Sequence, residues 1–387
     1  MSVFRHAAER TVMIGVSMGV VCASTSSCNP DSTAELQSAA QSAAIVRALD
    51  EVVQAGLPGV QVVITKQGWD WTATSGVGDL GTGARFPGKG RIRIGSNTKT
   101  FVATVLLQMV AENAVALDAP VERYLPGVVR GAGNDGTRIT VRNLLQHTSG
   151  LPDIEQLLSQ TPQDELAALR WQRVDAADLV HRTMALPPRF DPGTRAEYSN
   201  TNYLLIGLLI EHLTGRPVAT EITRRIITPL GLRATYYPEP GDTGLRDPHP
   251  SGYAYIAGHR VDYTDFDPSW AGAAGAMVST GAELNRFFIA LLAGKLLSPT
   301  ELDEMTRDPR PFDRLPGAGY GLGLIHIPVS CGKQVWGHGG SISGFHTRNG
   351  VTADGRAVTV VVNADPGDDR GHDAVMKAFD TAICSAS

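Results

Sequence analysis

Arg91-Ile92-Arg93-Ile94-Gly95-Ser96-Asn97-Thr98-Lys99-Thr100-Phe101-Val102-Ala103-Thr104-Val105-Leu106-Leu107-Gln108-Met109-Val110 changes period in its middle. Arg91 to Ile94 alternates as a short strand does, and Gly95 punctuates it. Beyond Ser96, the residues Phe101, Val102, Val105, Leu106, Met109 and Val110 share one side of a 3.6-residue period, which predicts a helix from Asn97 to about Glu112. Ser96 stands where that helix begins, and Lys99 projects from the same face one turn later. A lysine kept from water has its charged form disfavoured and can accept a proton from the serine hydroxyl. Backbone N–H groups of a first turn also face a developing oxyanion. Read alone, Ser96 is also a plain N-cap residue. Ser330 and Lys333 have the same spacing, but Cys331 and Gly332 between them read as a hairpin turn, with no helical face to align the pair.

Outward from this segment, Ala34 to Val53 is an amphipathic helix, and Gly59 to Thr65 and Trp69 to Thr74 form a hairpin turning at Gln67-Gly68. The middle is mostly helical. Val141 to Gln146, Glu165 to Trp171, Ala176 to Met184, Asn202 to Leu213, Ala219 to Ile227 and Ala282 to Leu292 show i, i+3, i+4 apolar spacing. Strands return at Tyr320 to Pro328, Gln334 to Gly337, Phe345 to Val351 and Ala357 to Asn363, and Asp373 to Cys384 closes the chain as a helix. Strands at both ends imply one sheet built from both termini (about 34–120 and 312–387), with a helical lobe of about 121–311 inserted between.

The first 27 residues read as a secretory signal peptide. Arg5 and Arg10 precede an apolar run from Thr11 to Ala23, and small polar residues follow. The run is too short to span a bilayer, which takes roughly 20 apolar residues. Cys28 also invites a lipoprotein reading, weakened by Thr25 where an aliphatic residue is expected. The remaining residues, 32–387, form the folded domain. With 34 basic and 39 acidic side chains the net charge is −5, and 42% of residues are hydrophobic, so neither a nucleic-acid-binding surface nor a polytopic membrane protein is indicated. No transmembrane segment remains after removal of the signal. Cys331 and Cys384 are the two cysteines of the body, and export to an oxidising compartment makes them a candidate disulfide. Two free buried thiols are the alternative.

Two further motifs carry chemistry. Tyr198-Ser199-Asn200 leaves a turn at Asp191-Pro192-Gly193 and enters an apolar helix. A phenol near a lysine has its phenolate favoured, so Tyr198 is a candidate proton relay, and Asn200 offers an amide to orient substrate. A cap with a packed aromatic is the structural alternative. His338-Gly339-Gly340-Ser341 ends a strand carrying Val335 and Trp336. Its small residues let a substrate lie alongside as an added edge, the Ser341 N–H is a candidate second oxyanion donor, and His338 supplies a polar, sometimes positive wall. A simple glycine turn is the alternative here. His147-Thr148-Ser149-Gly150 reads as a structural turn, and His181, His212, His249, His259, His326, His346 and His372 as scattered surface or core residues. There is no metal-ligand spacing and no phosphate loop, so neither metal nor cofactor is called for.

Ser96-x-x-Lys99, Tyr198-x-Asn200 and His338-x-Gly340, in this order, resemble the boxes of the serine β-lactamase and penicillin-binding superfamily. The histidine of the third box is most similar to that of secreted actinomycete D-alanyl-D-alanine carboxypeptidases. The likeness extends through Leu57-Pro58-Gly59, Leu117 to Val121, Arg138 to Arg142, Tyr198 to Glu211, Trp270 to Ser279 and Tyr320 to Cys331. It implies an antiparallel sheet flanked by helices (an α/β, α+β class fold) with an inserted all-helical lobe, Ser96 in the cleft between them, and a Cys331–Cys384 disulfide. It implies Ser96 as nucleophile, Lys99 as base, Tyr198 as relay, Asn200, His338 and Gly340 at the substrate, and the N–H groups of Ser96 and Ser341 as the oxyanion hole. The expected substrate is an acyl peptide, a peptidoglycan stem ending in D-Ala-D-Ala, with β-lactams as acylating ligands. An esterase or D-amino-acid amidase on the same machinery is the runner-up, and a non-catalytic penicillin sensor the third reading. Two departures bear on specificity. Gly339 replaces the carboxypeptidase's threonine, and Gly321 to Ile327 lacks the family's carboxylate-binding arginine, with Ile325 at its place; Arg348 and His326 are the candidate substitutes.

Overall fold

A computed structural model describes residues 30–161, 168–239, 241–256 and 258–385. The segment read as a signal peptide lies outside them, as does part of the helix expected at Glu165 to Trp171. Gln41–Ser387 is one compact unit; of the other, Met1–Ala40, the described part is the opening of the helix Pro30–Gln54. Among the described residues no helix is long and apolar enough to cross a membrane.

β1 (Gly59–Lys66) and β2 (Trp69–Gly76) form the expected hairpin, with Gln67 and Gly68 at positive φ. Three small ladders follow: β3 (Ile92–Arg93) with β8 (Val278–Ser279), β4 (Arg130–Gly131) with β5 (Asn134–Asp135), and β6 (Tyr253–Ile256) with β7 (His259–Asp262). The last third supplies β9 (Arg310–Pro311), β10 (Gly319–Tyr320), β11 (Ile325–His326), β12 (Val335–Gly337), β13 (Gly339–Ile342), β14 (Phe345–Thr352) and β15 (Ala357–Val362). The main sheet runs β2-β1-β15-β14-β12-β11-β10-β9 with β13 alongside β14, and its pairings are antiparallel.

Pairing of β1 with β15, Val60 opposite Val362 and Ile64 opposite Val358, joins the two ends of the chain in one sheet. β15 is buried on both faces, which is why its sequence, apolar but for Thr359, does not alternate. Val358, Val360 and Val362 pack with Leu49, Val52 and Phe379 from the helices Pro30–Gln54 and Asp369–Cys384. Ala357 and Val361 belong to the opposite core, with Leu284, Phe287 and Leu291 of the helix Gly281–Leu292. Burying each valine contributes about 1.5–3 kcal/mol relative to exposure. In the helical part, the almost wholly buried helix Asn97–Ala111 packs against Asn200–Thr214 and Gly272–Gly275. This is the mixed fold expected, an antiparallel sheet flanked by helices.

Three local expectations are corrected. Tyr320 to Pro328 is not one strand but β10 folded back on β11, Gly319 opposite His326, because Gly323 turns the chain at φ +79. The short strand before Ser96 pairs with β8 rather than joining the main sheet. Gly339–Ile342, read as the end of the preceding strand, is a strand of its own on β14.

Cys331 and Cys384 are disulfide-bonded across a sequence separation of 53, tying the β11–β12 connection to the final helix. Closing a loop of that size restricts the unfolded chain by about 4 kcal/mol in the entropy treatment. The double variant Cys331→Ser/Cys384→Ser is expected to lose about 2–4 kcal/mol in denaturant unfolding; a loss below about 0.5 kcal/mol contradicts this role.

Candidate active site

Gly95, at φ +49, turns the chain from β3 into the helix that Ser96 begins. Ser96 makes no side-chain capping bond, so its hydroxyl is not occupied as an N-cap. Lys99 Nζ lies 3.1 Å from Ser96 Oγ, 2.7 Å from Asn200 Oδ1 and 2.8 Å from the Ala274 carbonyl oxygen. Nζ therefore has three partners contributed by three helices. When the amine is neutral, its two N–H groups can serve Asn200 and Ala274, leaving the lone pair for the proton on Ser96.

Burial drives that neutral state. Lys99 is wholly buried, and desolvation lowers its pKa to about 7; Asp153 opposes the shift, Arg314 adds to it, and Glu155 opposes it. Burial and the neighbouring Glu155 in turn hold the Asp153 carboxyl above the usual carboxylate range. These acidic groups reach the lysine through Asn200, whose Nδ2 lies 2.9 Å from Glu155 Oε1 and 3.4 Å from both Asp153 oxygens. Asn200 thus spends its amide inside the protein, holding the lysine, instead of presenting it freely to substrate as the sequence reading had it.

Tyr198 also behaves differently from expectation. Its hydroxyl hydrogen-bonds Ser96, but burial pushes the phenol well above its ordinary pKa, outweighing any help from the lysine 4.8 Å from its ring. It is a neutral phenol, able to accept a proton on one side while donating on the other. The ring is packed by His147 at 4.2 Å, Phe312 at 5.7 Å and the Arg314 guanidinium at 4.4 Å. His147 sits in the structural turn read from the sequence and does further work there. Its Nδ1 accepts from the Ser199 N–H at 3.2 Å and lies 3.1 Å from Asn202 Nδ2, holding the Ser199 backbone and the Asn202 side chain on either side of Asn200.

The third box meets the first by close backbone contact. A Cβ on Gly340 would stand 2.0 Å from the Ile94 carbonyl oxygen, and one on Gly95 2.9 Å from the Ser341 oxygen and 3.0 Å from its nitrogen. Only glycines permit this approach, which sets the Ser341 backbone beside the Ser96 turn. Asn97 locks the arrangement by donating to Thr347 Oγ1 at 2.7 Å and accepting from Asn349 Nδ2. His338 lines the cleft and is hydrogen-bonded to the Tyr320 hydroxyl at 3.0 Å, while burial lowers its pKa to about 3. It is a neutral wall, never the positive one considered from sequence, because the desolvation cost of an imidazolium dominates there.

The cleft has a volume of about 250 Å³. The helical elements contribute Ile154, Glu155, Tyr198, Asn200 and Trp270; the sheet contributes Ile325, the third box, His346 and Arg348. His346 and His372 were read as scattered residues, yet both line it, their rings 5.4 Å apart, with Ser341 Oγ 2.6 Å from His346 Nδ1. His326 points elsewhere, bonding Gln334 and stacking edge-on to Trp336. Ser330 is tied to Asp380 by both its N–H and its hydroxyl, so its hydroxyl donates to a carboxylate rather than to Lys333. Asp153, Glu155, Arg314, Tyr320 and Asn97 were not singled out from the sequence; Asp153 and Glu155 at a short helix start, Ile154–Ser159, were the available signal. A larger cavity of about 1070 Å³ among the helices, lined by Glu211, Arg216 and Tyr237, contains no serine–lysine pair.

A hydroxyl on a helix start, a desolvated amine, a neutral phenol and two converging backbone segments define a serine hydrolase site of the acyl-transfer type. The beta-lactamase family model matches residues 43–382, and the chain belongs to that family. A D-stereospecific amidohydrolase from Streptomyces sp. is 40% identical, covering 89% of this chain and 99% of its own, with a TM-score of 0.81. The D-amino acid amidase from Ochrobactrum anthropi is 29% identical over 87% of this chain and 98% of its own, with a TM-score of 0.76. A D-aminopeptidase from Cereibacter sphaeroides is 28% identical over 302 residues, 78% of this chain. The chain spans about half the length, 54%, of that curated relative.

Acylation by a labelled penicillin is expected on Ser96 and not on Ser330, with a rate that rises through pH of about 7 and levels off above, since Lys99 accepts a proton only when neutral. Lys99→Ala and Tyr198→Phe should each slow it about 10²–10⁴-fold with melting temperature retained. Peptide mapping and acylation kinetics across pH are the measurements. Label on Ser330, or an acid limb below pH 5, contradicts the assignment.

Proposed function

We propose that the protein hydrolyses amide bonds on the carbonyl side of a D-amino acid bearing a free amine, as a D-amino acid amidase or D-aminopeptidase does. In this reading Ser96 attacks the carbonyl carbon while its proton passes to Lys99 Nζ. The oxyanion forms against the N–H groups of Ser96 and Ser341. Tyr198 hands a proton to the departing nitrogen and is reprotonated at the expense of the Lys99 ammonium, the C–N bond breaks, and a D-aminoacyl ester remains on Ser96 with Lys99 neutral again. Water then repeats the sequence and releases the acid.

The observation that carries the substrate assignment is the end-to-end likeness to the Streptomyces amidohydrolase. Peptidoglycan carboxypeptidase activity, the leading expectation from sequence, is accordingly the weaker reading. Glu155 adds support. Its carboxylate lines the cleft, is half exposed, and has capacity beyond its bonds to Asn200 and Arg314 for an ammonium group. Export is part of the proposal, supported by the N-terminal leader pattern and the disulfide.

kcat/KM for D-alaninamide is expected to exceed that for L-alaninamide by about 10² or more, and N-acetylation of the D-amide should cost about 10-fold or more, as loss of a charged hydrogen bond does. Glu155→Gln should narrow the second ratio. Preferential turnover of an N-acylated D-Ala-D-Ala peptide would return the assignment to a carboxypeptidase.

A further inference from the structure

Arg348 is left without a partner by everything described so far. It lies on β14 directly opposite Gly339, and His346 opposite Ser341, so with a two-residue period these side chains share the face of the sheet that lines the cleft. Among the described residues no hydrogen bond or ion pair engages the Arg348 guanidinium, and its Nε is buried with no acceptor. Burial of an unpaired guanidinium is costly, and its rigid fork matches a carboxylate or phosphate. The only carboxylate among the described lining residues, Glu155, stands on the helical wall and is paired with Arg314 at 3.2 Å. The neighbouring His338 and His346 are held neutral by burial, so nothing on the sheet wall neutralises Arg348.

Gly339 explains how the arginine comes to be there. A Cβ at that position would lie 2.8 Å from Arg348 Nη1 and 3.1 Å from Cζ, so the guanidinium occupies the space a side chain on β13 would otherwise fill. β13 is also the strand a substrate would follow, with Ser341 beside Ser96 and Gly339 two residues further along. Gly339 therefore lies about 7 Å along the strand from the oxyanion donor, a span covered by the leaving residue's carboxylate together with its hydrogen bonds to a guanidinium.

We propose that Arg348 is a specificity-determining residue that binds a free carboxylate on the leaving group, so that the preferred substrates are short zwitterionic peptides: a D-residue with a free amine joined to an amino acid with a free C-terminus. This rests on the reading of the site as a D-specific amidohydrolase and adds the leaving side to it. Glu155 on one wall and Arg348 on the other then meet the two charges of a dipeptide. The planar fork of the guanidinium matches a carboxylate in two hydrogen bonds.

The test compares D-alanyl-glycine with D-alanyl-glycinamide on the purified protein. The wild type is expected to favour the acid by about tenfold or more in kcat/KM, expressed mainly in KM, since a charge-assisted pair is lost with the amide. Arg348→Met should bring the ratio to near one, and Arg348→Lys should restore part of it. Gly339→Val, which crowds Nη1 while leaving the arginine in place and adding no hydrogen-bond donor, should lower the ratio without removing a charge, and decides the matter if Arg348→Met fails to fold. A wild-type ratio near one, or a ratio undisturbed in both Arg348→Met and Gly339→Val, overturns the proposal. D-alaninamide separates the two levels: turnover of this amide with a ratio near one sinks only the carboxylate site, whereas no turnover of any D-substrate sinks the amidohydrolase reading itself.

Discussion

The structure depends on keeping one lysine amine out of water. An ammonium with no solvent access is expensive, and the protein meets that cost by giving Lys99 Nζ three oxygen partners and letting desolvation bring its pKa down to about 7. Each partner comes from a different part of the chain: Ser96 from the same helix, Asn200 from a helix about 100 residues later, Ala274 from a short helix later still. Helix packing and base activation are therefore the same contact. A helix that shifted would both strand a buried amine and lose the serine–lysine distance.

The glycines of the third box extend the same constraint to the sheet. β13 can press against the Ser96 turn only because Gly95 and Gly340 have no side chains, and the Asn97–Thr347–Asn349 bonds hold it there. The absent side chain of Gly339 serves a different purpose, making room for Arg348. Neighbouring glycines in one short motif thus act one on backbone approach and the other on what the cleft can recognise.

Much of this was legible in the sequence. The period change at Ser96 located the helix and the serine–lysine face, the strands at both ends gave one sheet, and the order of the three boxes pointed to the family. What the sequence hid is of two kinds. Apolar runs conceal turns, so β10 and β11 read as one strand until Gly323 turned out to reverse the chain. Protonation states follow from burial, which periodicity does not report. Tyr198 near a lysine looked like a phenolate and is a neutral phenol, and His338 looked like an occasional cation and is held neutral. Likewise Asp153, Glu155 and Arg314 matter only because folding carries them to a lysine more than 50 residues away in sequence, and no local pattern marks them.

The central claim is that Lys99 is a neutral base at working pH, and its ionisation can be observed directly. NMR titration of protein carrying ¹³C-labelled lysine, with the Lys99 signal assigned by its absence in Lys99→Arg and resolved from the other five lysines of the chain, reports the midpoint. A midpoint near pH of about 7 is predicted. A midpoint above about 9, close to the ordinary lysine range of about 10.4, would mean a charged ammonium beside Ser96 at neutral pH and would contradict the account.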